Sequence, residues 1–264
     1  MRSGNCRVLC VILHTYYLKD MQKLSEVGNN MNKKTDSKKI EMMGICLNNY
    51  TVRESLLRLD TYLGNTILNI IETVTMKQLI LSQEMPVIKN CLNQADLCVI
   101  GECEILSETE HDAVQRMREV RNWDFLHELL RRMKNSRKRV FLLAMTDDEL
   151  QQIQQMFQEK VPQFEAVGSY AVESCGGDMD TIVNEINGAT PDIVISALDS
   201  PMEEEFILSH KDKIGTSVWY GIGVSYYKNQ GKIQVGNTLK KLALRGRLRH
   251  SVSKYRQNEN KDRM

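Results

Sequence analysis

Residues 192–223 fit a strand, a turn, a helix and a second strand into about the shortest span that allows them, and this does most to fix the class of fold. Asp192-Ile193-Val194-Ile195-Ser196-Ala197-Leu198 is a short apolar run rich in β-branched residues. A run of that length between breakers reads as a strand buried on both faces. Asp199-Ser200-Pro201 ends it. Ser200 is a candidate N-cap and Pro201 a candidate first helical residue, where a missing N–H costs nothing. Glu203, Glu204 and Glu205 follow in the first turn, where carboxylates complement the helix dipole. The helix is expected to run to about Lys213, Gly215 to turn the chain, and Ser217–Gly223 to form the next strand. The tip of such a strand–turn–helix unit is where open α/β sheets bind ligands.

The same alternation extends upstream. Val140–Ala144 and Phe164–Tyr170 read as strands. Between them, Thr146 or Asp147 caps a helix with the stripe Leu150, Ile153, Met156, Phe157, Val161. Gly176-Gly177 opens a helix containing Met179, Ile182, Val183 and Ile186. Nearer the start, Ile40–Leu47 reads as one strand, and Thr51 with Glu54 as a capping box for a helix carrying Leu56, Leu57, Leu59 and Leu63. Thr66–Glu72 is the next strand, with Thr75 a cap for a helix from Met76. Met85–Asn93 is a short helix and Ala95–Ile100 a buried strand. Ser107–Lys138 holds two helices, the first capped by Ser107–Glu110, the second with the stripe Trp123, Leu126, Leu129, Leu130, Met133. Strand–helix units of this length imply parallel strands joined by crossovers. The expected fold is therefore α/β and Rossmann-like, a largely parallel sheet flanked by helices. Residues 1–38 are expected to be a flexible extension, 39–230 the α/β domain and 231–264 a basic segment.

Charge and cysteine usage exclude several classes. The net charge of +1 gives no global argument for nucleic acid. Seven scattered cysteines show no metal-ligand spacing, so they read as reduced core or surface thiols in a cytoplasmic protein. No metal site, dinucleotide fingerprint or P-loop is expected. No run approaches the roughly 20 apolar residues of a membrane span. Val8–Leu18 follows two arginines, yet it lacks a cleavage site, which argues against export. From Lys232 to Gln257 the chain has eight Lys/Arg and no Asp or Glu. Such a segment suits an anionic membrane surface, a solvated tail or, less readily, nucleic acid.

Pro191-Asp192-Ile193, Ser200-Pro201-x-x-Glu204 and Gly221-Ile222-Gly223 together resemble the signature of the WecG/TagA/CpsF glycosyltransferases, P-D-hydrophobic, G-x-P-K-Q-E and G-V-G. The resemblance spans about residues 40–227. It implies an inverting hexosyltransferase that needs no metal or other cofactor. Such an enzyme moves an N-acetylated hexosamine, for example N-acetylmannosamine, from UDP to an undecaprenyl-diphosphate-linked sugar, at the inner face of the membrane. A basic tail on an anionic membrane and a second copy of the chain are the further partners considered. Thr73 and Thr75 stand at the ends of the family's T-x-N motif. The family's proposed catalytic aspartate, in A-D-L-x-x-P-D-G, corresponds to Gly101, which leaves Glu102 as the candidate base. Alignment on Asp124 puts Glu119 and Asn122 at the family's basic and glycine positions, with Arg118 adjacent; Arg118 or Arg121 could meet a diphosphate, or both belong to a solvated helix face.

The candidate site is thus Glu102 as catalyst, with Thr73, Thr75, Arg118, Pro201 and Glu204 as substrate-binding residues. Met202-Glu203 replaces the family's Lys-Gln pair, and Ala144-Met145 its glycine pair. Ionised carboxylates only accept hydrogen bonds and repel a diphosphate. The alternative reading is therefore a catalytically inactive relative that acts as a binding or regulatory module.

Overall fold

The computed structural model describes residues 38–223 and 235–262, and the expectation of a flexible residue 1–38 extension falls almost entirely outside them. Eight strands form one sheet in the order β1-β2-β4-β3-β8-β7-β5-β6. They are β1 (Lys39–Met42), β2 (Ile45–Asn48), β3 (Asn69–Val74), β4 (Leu97–Ile100), β5 (Val140–Ala144), β6 (Gly168–Ala171), β7 (Ile193–Ser196) and β8 (Val218–Gly221). The β1–β2 pair is antiparallel and the other six pairs are parallel. This is the expected α/β fold.

Successive strand residues point to opposite faces, so each central strand feeds two cores. Ile71, Leu142, Ile195 and Tyr220 join one core. Their neighbours Ile70, Phe141, Val194 and Trp219 join the other. The first core is closed by α1 (Val52–Tyr62), α6 (Asp124–Asn135) and α7 (Asp147–Lys160). The second is closed by α3 (Pro86–Gln94), α8 (Met179–Ala189) and α9 (Met202–His210). The predicted stripes point inward: Leu126, Leu129, Leu130 and Met133 on α6, and Leu150, Ile153 and Phe157 on α7, are all buried. Burying each such side chain stabilises the fold by about 1.5–3 kcal/mol.

Several boundaries differ from expectation for local reasons. Ile40–Leu47 is a hairpin and not one strand, because Met43 and Gly44 both take positive φ (54° and 75°) and reverse the chain. The strand expected at Thr66–Glu72 begins three residues later, since Ser217 Oγ and Asn69 hold Asn65 in a loop. The first charged helix starts earlier, as α4 (Cys103–Glu108), and is followed by α5 (Val114–Arg121). Phe164 packs edge-on against Phe157, 5.5 Å between centroids, which delays β6 to Gly168. At α9 the cap is Pro201 itself, preceded by a cis peptide, and Ser200 binds Glu204 instead of capping. The capping box of Thr51 and Glu54 on α1 is present as read.

The basic segment forms α10 (Val235–Asp262), which packs on α2 (Met76–Leu81). Leu244, Leu248, Val252 and Tyr255 recur at helical spacing and join the core that lies against β1, β2 and α3. Lys241 pairs with Glu104, and Arg245 and Arg249 both pair with Glu108, so part of the basic charge is met by α4. Among the described residues no helix is long and apolar enough to cross a membrane.

Candidate functional site

The C-terminal ends of β4, β3, β8 and β7 form one edge of the sheet, and the first turn of α2 ties them together. Thr75 caps α2 and Gln78 reaches back to it, a capping box that follows from the Thr-x-x-Gln spacing. From that turn the Met76 N–H donates to Glu102 Oε2 at 2.6 Å, beyond β4. Lys77 Nζ donates to Asp199 Oδ1 at 2.6 Å, beyond β7. Gln78 Nε2 donates to Glu204 Oε1 at 3.1 Å, and Ser200 Oγ donates to the same oxygen at 2.7 Å. The short helix thus links the loops after β4 and β7 across the strands between them.

Thr73 faces the opposite side of β3 from Glu72. Its hydroxyl donates to the Tyr220 hydroxyl at 2.9 Å. Both line a cavity of ≈ 30 Å³, room for about one water, together with Gly101, Tyr50, Arg116 and Trp123. Arg116 is buried, donates from Nε to Asn49 Oδ1 at 3.0 Å and pairs with Glu119. Arg118 is exposed on α5 and does not line that cavity, although its neighbour Glu119 does. Arg116 is the buried cation of this face, and nothing in its sequence context distinguished it from its neighbours.

Glu102 is the carboxylate at the β4 end. Burial pushes it above the usual carboxylate range, against the Met76 N–H and the charge of Lys241, which pull it down. An aspartate at the preceding position has no room. A Cβ on Gly101 would meet Thr73 Cγ2 at 2.7 Å and the Val74 carbonyl oxygen at 3.0 Å.

The two glutamates of the β7–α9 turn do not face outward. Glu203 and Glu204 are 2% and 0% exposed. Glu204 therefore secures the turn from within, where the sequence suggested a group lining an open pocket. The expectation that Glu203, standing where the family has Gln, would repel a diphosphate is corrected for the same reason: α9 turns it under the sheet edge. Asp199 and its partner Lys77, each close to half exposed, are presented at this turn, and Glu205 is exposed beside them. Pro201 stands at the helix start, partly exposed. Among the described residues no group of three or more His, Cys, Asp and Glu is arranged to hold a metal.

The profile of the glycosyl transferase WecG/TagA/CpsF family matches residues 40–234, which takes in the sheet and every loop of this edge. The chain belongs to the WecG/TagA/CpsF glycosyltransferase family. It is 21% identical over 196 residues to the N-acetylglucosaminyldiphosphoundecaprenol N-acetyl-beta-D-mannosaminyltransferases of Staphylococcus aureus strains NCTC 8325 / PS 47 and COL. Each alignment covers 73% of this chain and 76% of the relative. Thr73, which the T-x-N resemblance singles out, lines the cavity. The asparagine position, Thr75, is a helix cap whose hydroxyl is engaged with Gln78. Thr73, Gly101, Ser200–Glu204 and Gly221 lie at this C-terminal edge, whereas Pro191-Asp192 stands at the start of β7, at the opposite end of the sheet, where Asp192 binds Lys138 and the Arg139 N–H.

Sequence reasoning did not single out Glu72, Lys77, Gln78, Arg116 or Tyr220. Two of them carried a signal. Gln78 completes a capping box, and Glu72 is a charged residue inside an otherwise apolar strand run.

Proposed function

We propose that this chain transfers an N-acetylated hexosamine, such as N-acetylmannosamine, from UDP to an undecaprenyl-diphosphate-linked acceptor at the cytoplasmic face of the membrane. The observation that carries the reading is the family match across residues 40–234, which takes in the loops that carry Thr73, Glu102 and Ser200–Glu204 at one end of the sheet. The acceptor hydroxyl attacks the anomeric carbon, its proton passes to Glu102, and the bond from that carbon to UDP breaks, with inversion. Glu102 suits the role because a general base works best with a pKa raised toward the operating pH. The Met76 N–H fixes one carboxylate oxygen and leaves Oε1 for the proton. Lys77 and Lys241, near the same edge, supply positive charge against the departing diphosphate. The ≈ 30 Å³ cavity is too small for a sugar, and Thr73 and Thr75 are buried with their hydroxyls engaged, so the donor lies across the open edge beside Pro201 and Lys77.

Calorimetric titration with UDP is expected to give micromolar binding. The absence of binding at millimolar UDP would contradict the donor site and favour the binding-module alternative.

The same reading places α10 on the membrane. Lys240, Arg247, Lys254 and Lys261 recur every seven residues, are exposed and form one flank of the helix, beside its packed stripe. Each basic residue near an anionic surface contributes about 1 kcal/mol. Reversing Lys240, Arg247 and Lys254 to Glu is therefore expected to weaken binding to phosphatidylglycerol vesicles by about 100-fold or more. Sedimentation with vesicles measures this, and unchanged binding would remove α10 from the membrane account.

A further inference from the structure

On the face of the sheet opposite Thr73, a row of facing residues crosses four strands. Cys98 on β4 pairs with Glu72 on β3, Glu72 with Gly221 on β8, and Gly221 with Ser196 on β7. The glycine makes room for the acid. A Cβ at Gly221 would stand 2.4 Å from Glu72 Oε2. The Glu72 carboxyl, 1% exposed, thus lies over Gly221, beside Ser196, which binds Glu203 from the first turn of α9, and the charges of Glu203 and Glu204 act on it.

The partners of these three acids are neutral. Glu203 accepts from Ser196 Oγ at 2.5 Å, from Trp219 Nε1 at 2.6 Å and from the Leu198 N–H. Glu204 accepts from Gln78 and Ser200 through one oxygen. Its other oxygen, Oε2, is buried without a partner, and so is Glu72 Oε1. An ionised carboxylate has only acceptors, so a pair of ionised acids here would leave both oxygens unsatisfied. A proton held between the two acids would give each oxygen a partner. The remaining titratable groups that face the cluster are the thiols of Cys91 on α3 and Cys98 on β4, which burial keeps in the neutral form.

We propose that Glu72 carries a proton shared with the α9 carboxylates, and that this proton pins the first turn of α9, and with it the Asp199–Glu204 turn, to β3. Loss of the proton puts repelling charges under the turn and loosens it. The device is a pH-dependent latch on one wall of the sheet edge. It stands on the buried cluster and holds whether or not the edge transfers a sugar.

The sign follows from the environment. Burial, then the neighbouring acids, hold Glu72 well above the ordinary 4.5, and burial lifts Glu203 to about 7. The folded state therefore favours the protonated forms. The contribution of Glu203 to stability is fully present below about 4.5 and is lost as the pH rises through about 7, and that of Glu72 is likewise lost as its raised pKa is passed on the alkaline side.

The test uses the full chain and its Glu72→Gln variant, which keeps the shape and removes the titrating proton. Hydrogen exchange of the Glu203–Phe206 amides, corrected for intrinsic rate, is expected to show at least ~10-fold lower protection at about pH 9 than at about pH 6 in the native chain. Glu72→Gln should reduce that difference several-fold, leaving the part that Glu203 contributes. The infrared C=O stretch of a protonated carboxyl should be present in the native protein at neutral pH and diminished in the variant. Protection that does not change with pH, or the absence of that band in the native protein, would overturn the proposal. The native infrared measurement decides the matter even if the variant does not fold.

Discussion

Replacing Glu102 with Gln is expected to slow sugar transfer by about 10²–10⁴-fold while leaving the fold intact. Gln keeps an oxygen that can accept from the Met76 N–H, so the link between the β4 loop and α2 survives. It cannot take a proton from the acceptor hydroxyl. Uridine diphosphate binding should remain within a few-fold of native, because nothing in the proposed donor contact depends on the charge of Glu102. Initial rates with a lipid-linked acceptor, beside a UDP titration, separate the two effects. A variant that loses UDP binding as well as transfer would point to collapse of the edge. One that transfers at the native rate would remove Glu102 from the chemistry.

Gly101→Ala is expected to lower the unfolding free energy by about 1–3 kcal/mol. The added methyl would sit 2.7 Å from Thr73 Cγ2 and 3.0 Å from the Val74 carbonyl oxygen. Neither can yield easily. Thr73 is β-branched, buried and held by Tyr220, and the carbonyl belongs to the strand. Removing the Thr73 methyl with Thr73→Ser should recover more than half of the loss, because it relieves the shorter contact and keeps the hydroxyl. Urea denaturation of the two single variants and the double variant measures the coupling. Additive losses would mean that Gly101 and Thr73 do not meet as described. The same contact explains why a carboxylate at this strand end comes from position 102. An aspartate at 101 would have to displace Thr73 first.

Most of the architecture could be read from the chain because the apolar pattern and the turn chemistry agree. β5 was read to the residue, since its five apolar positions lie between a charged turn and a Thr-capped helix. The hairpin at Met43-Gly44 was missed because a methionine with positive φ carries no turn signature. The site was legible at the level of which loops converge. It was not legible in side-chain direction. Glu203 and Glu204 looked exposed in an acidic first turn, yet they point under the sheet, where Gly221 leaves space for Glu72. That geometry depends on three strands brought together from distant parts of the chain, and no local spacing encodes it. Arg116 and Arg118 show the same limit within one helix: two residues apart, they lie on different faces, and only packing decides which is buried.

The most direct test of the transferase reading is the reaction itself, with purified chain, UDP-N-acetylmannosamine and an undecaprenyl-diphosphate-linked N-acetylglucosamine acceptor in anionic vesicles. The expected result is release of UDP in step with appearance of an extended lipid-linked sugar, suppressed by Glu102→Gln. Micromolar UDP binding with no extended product from this or another UDP-N-acetylhexosamine would contradict the transferase account and leave a nucleotide-binding module on the same scaffold.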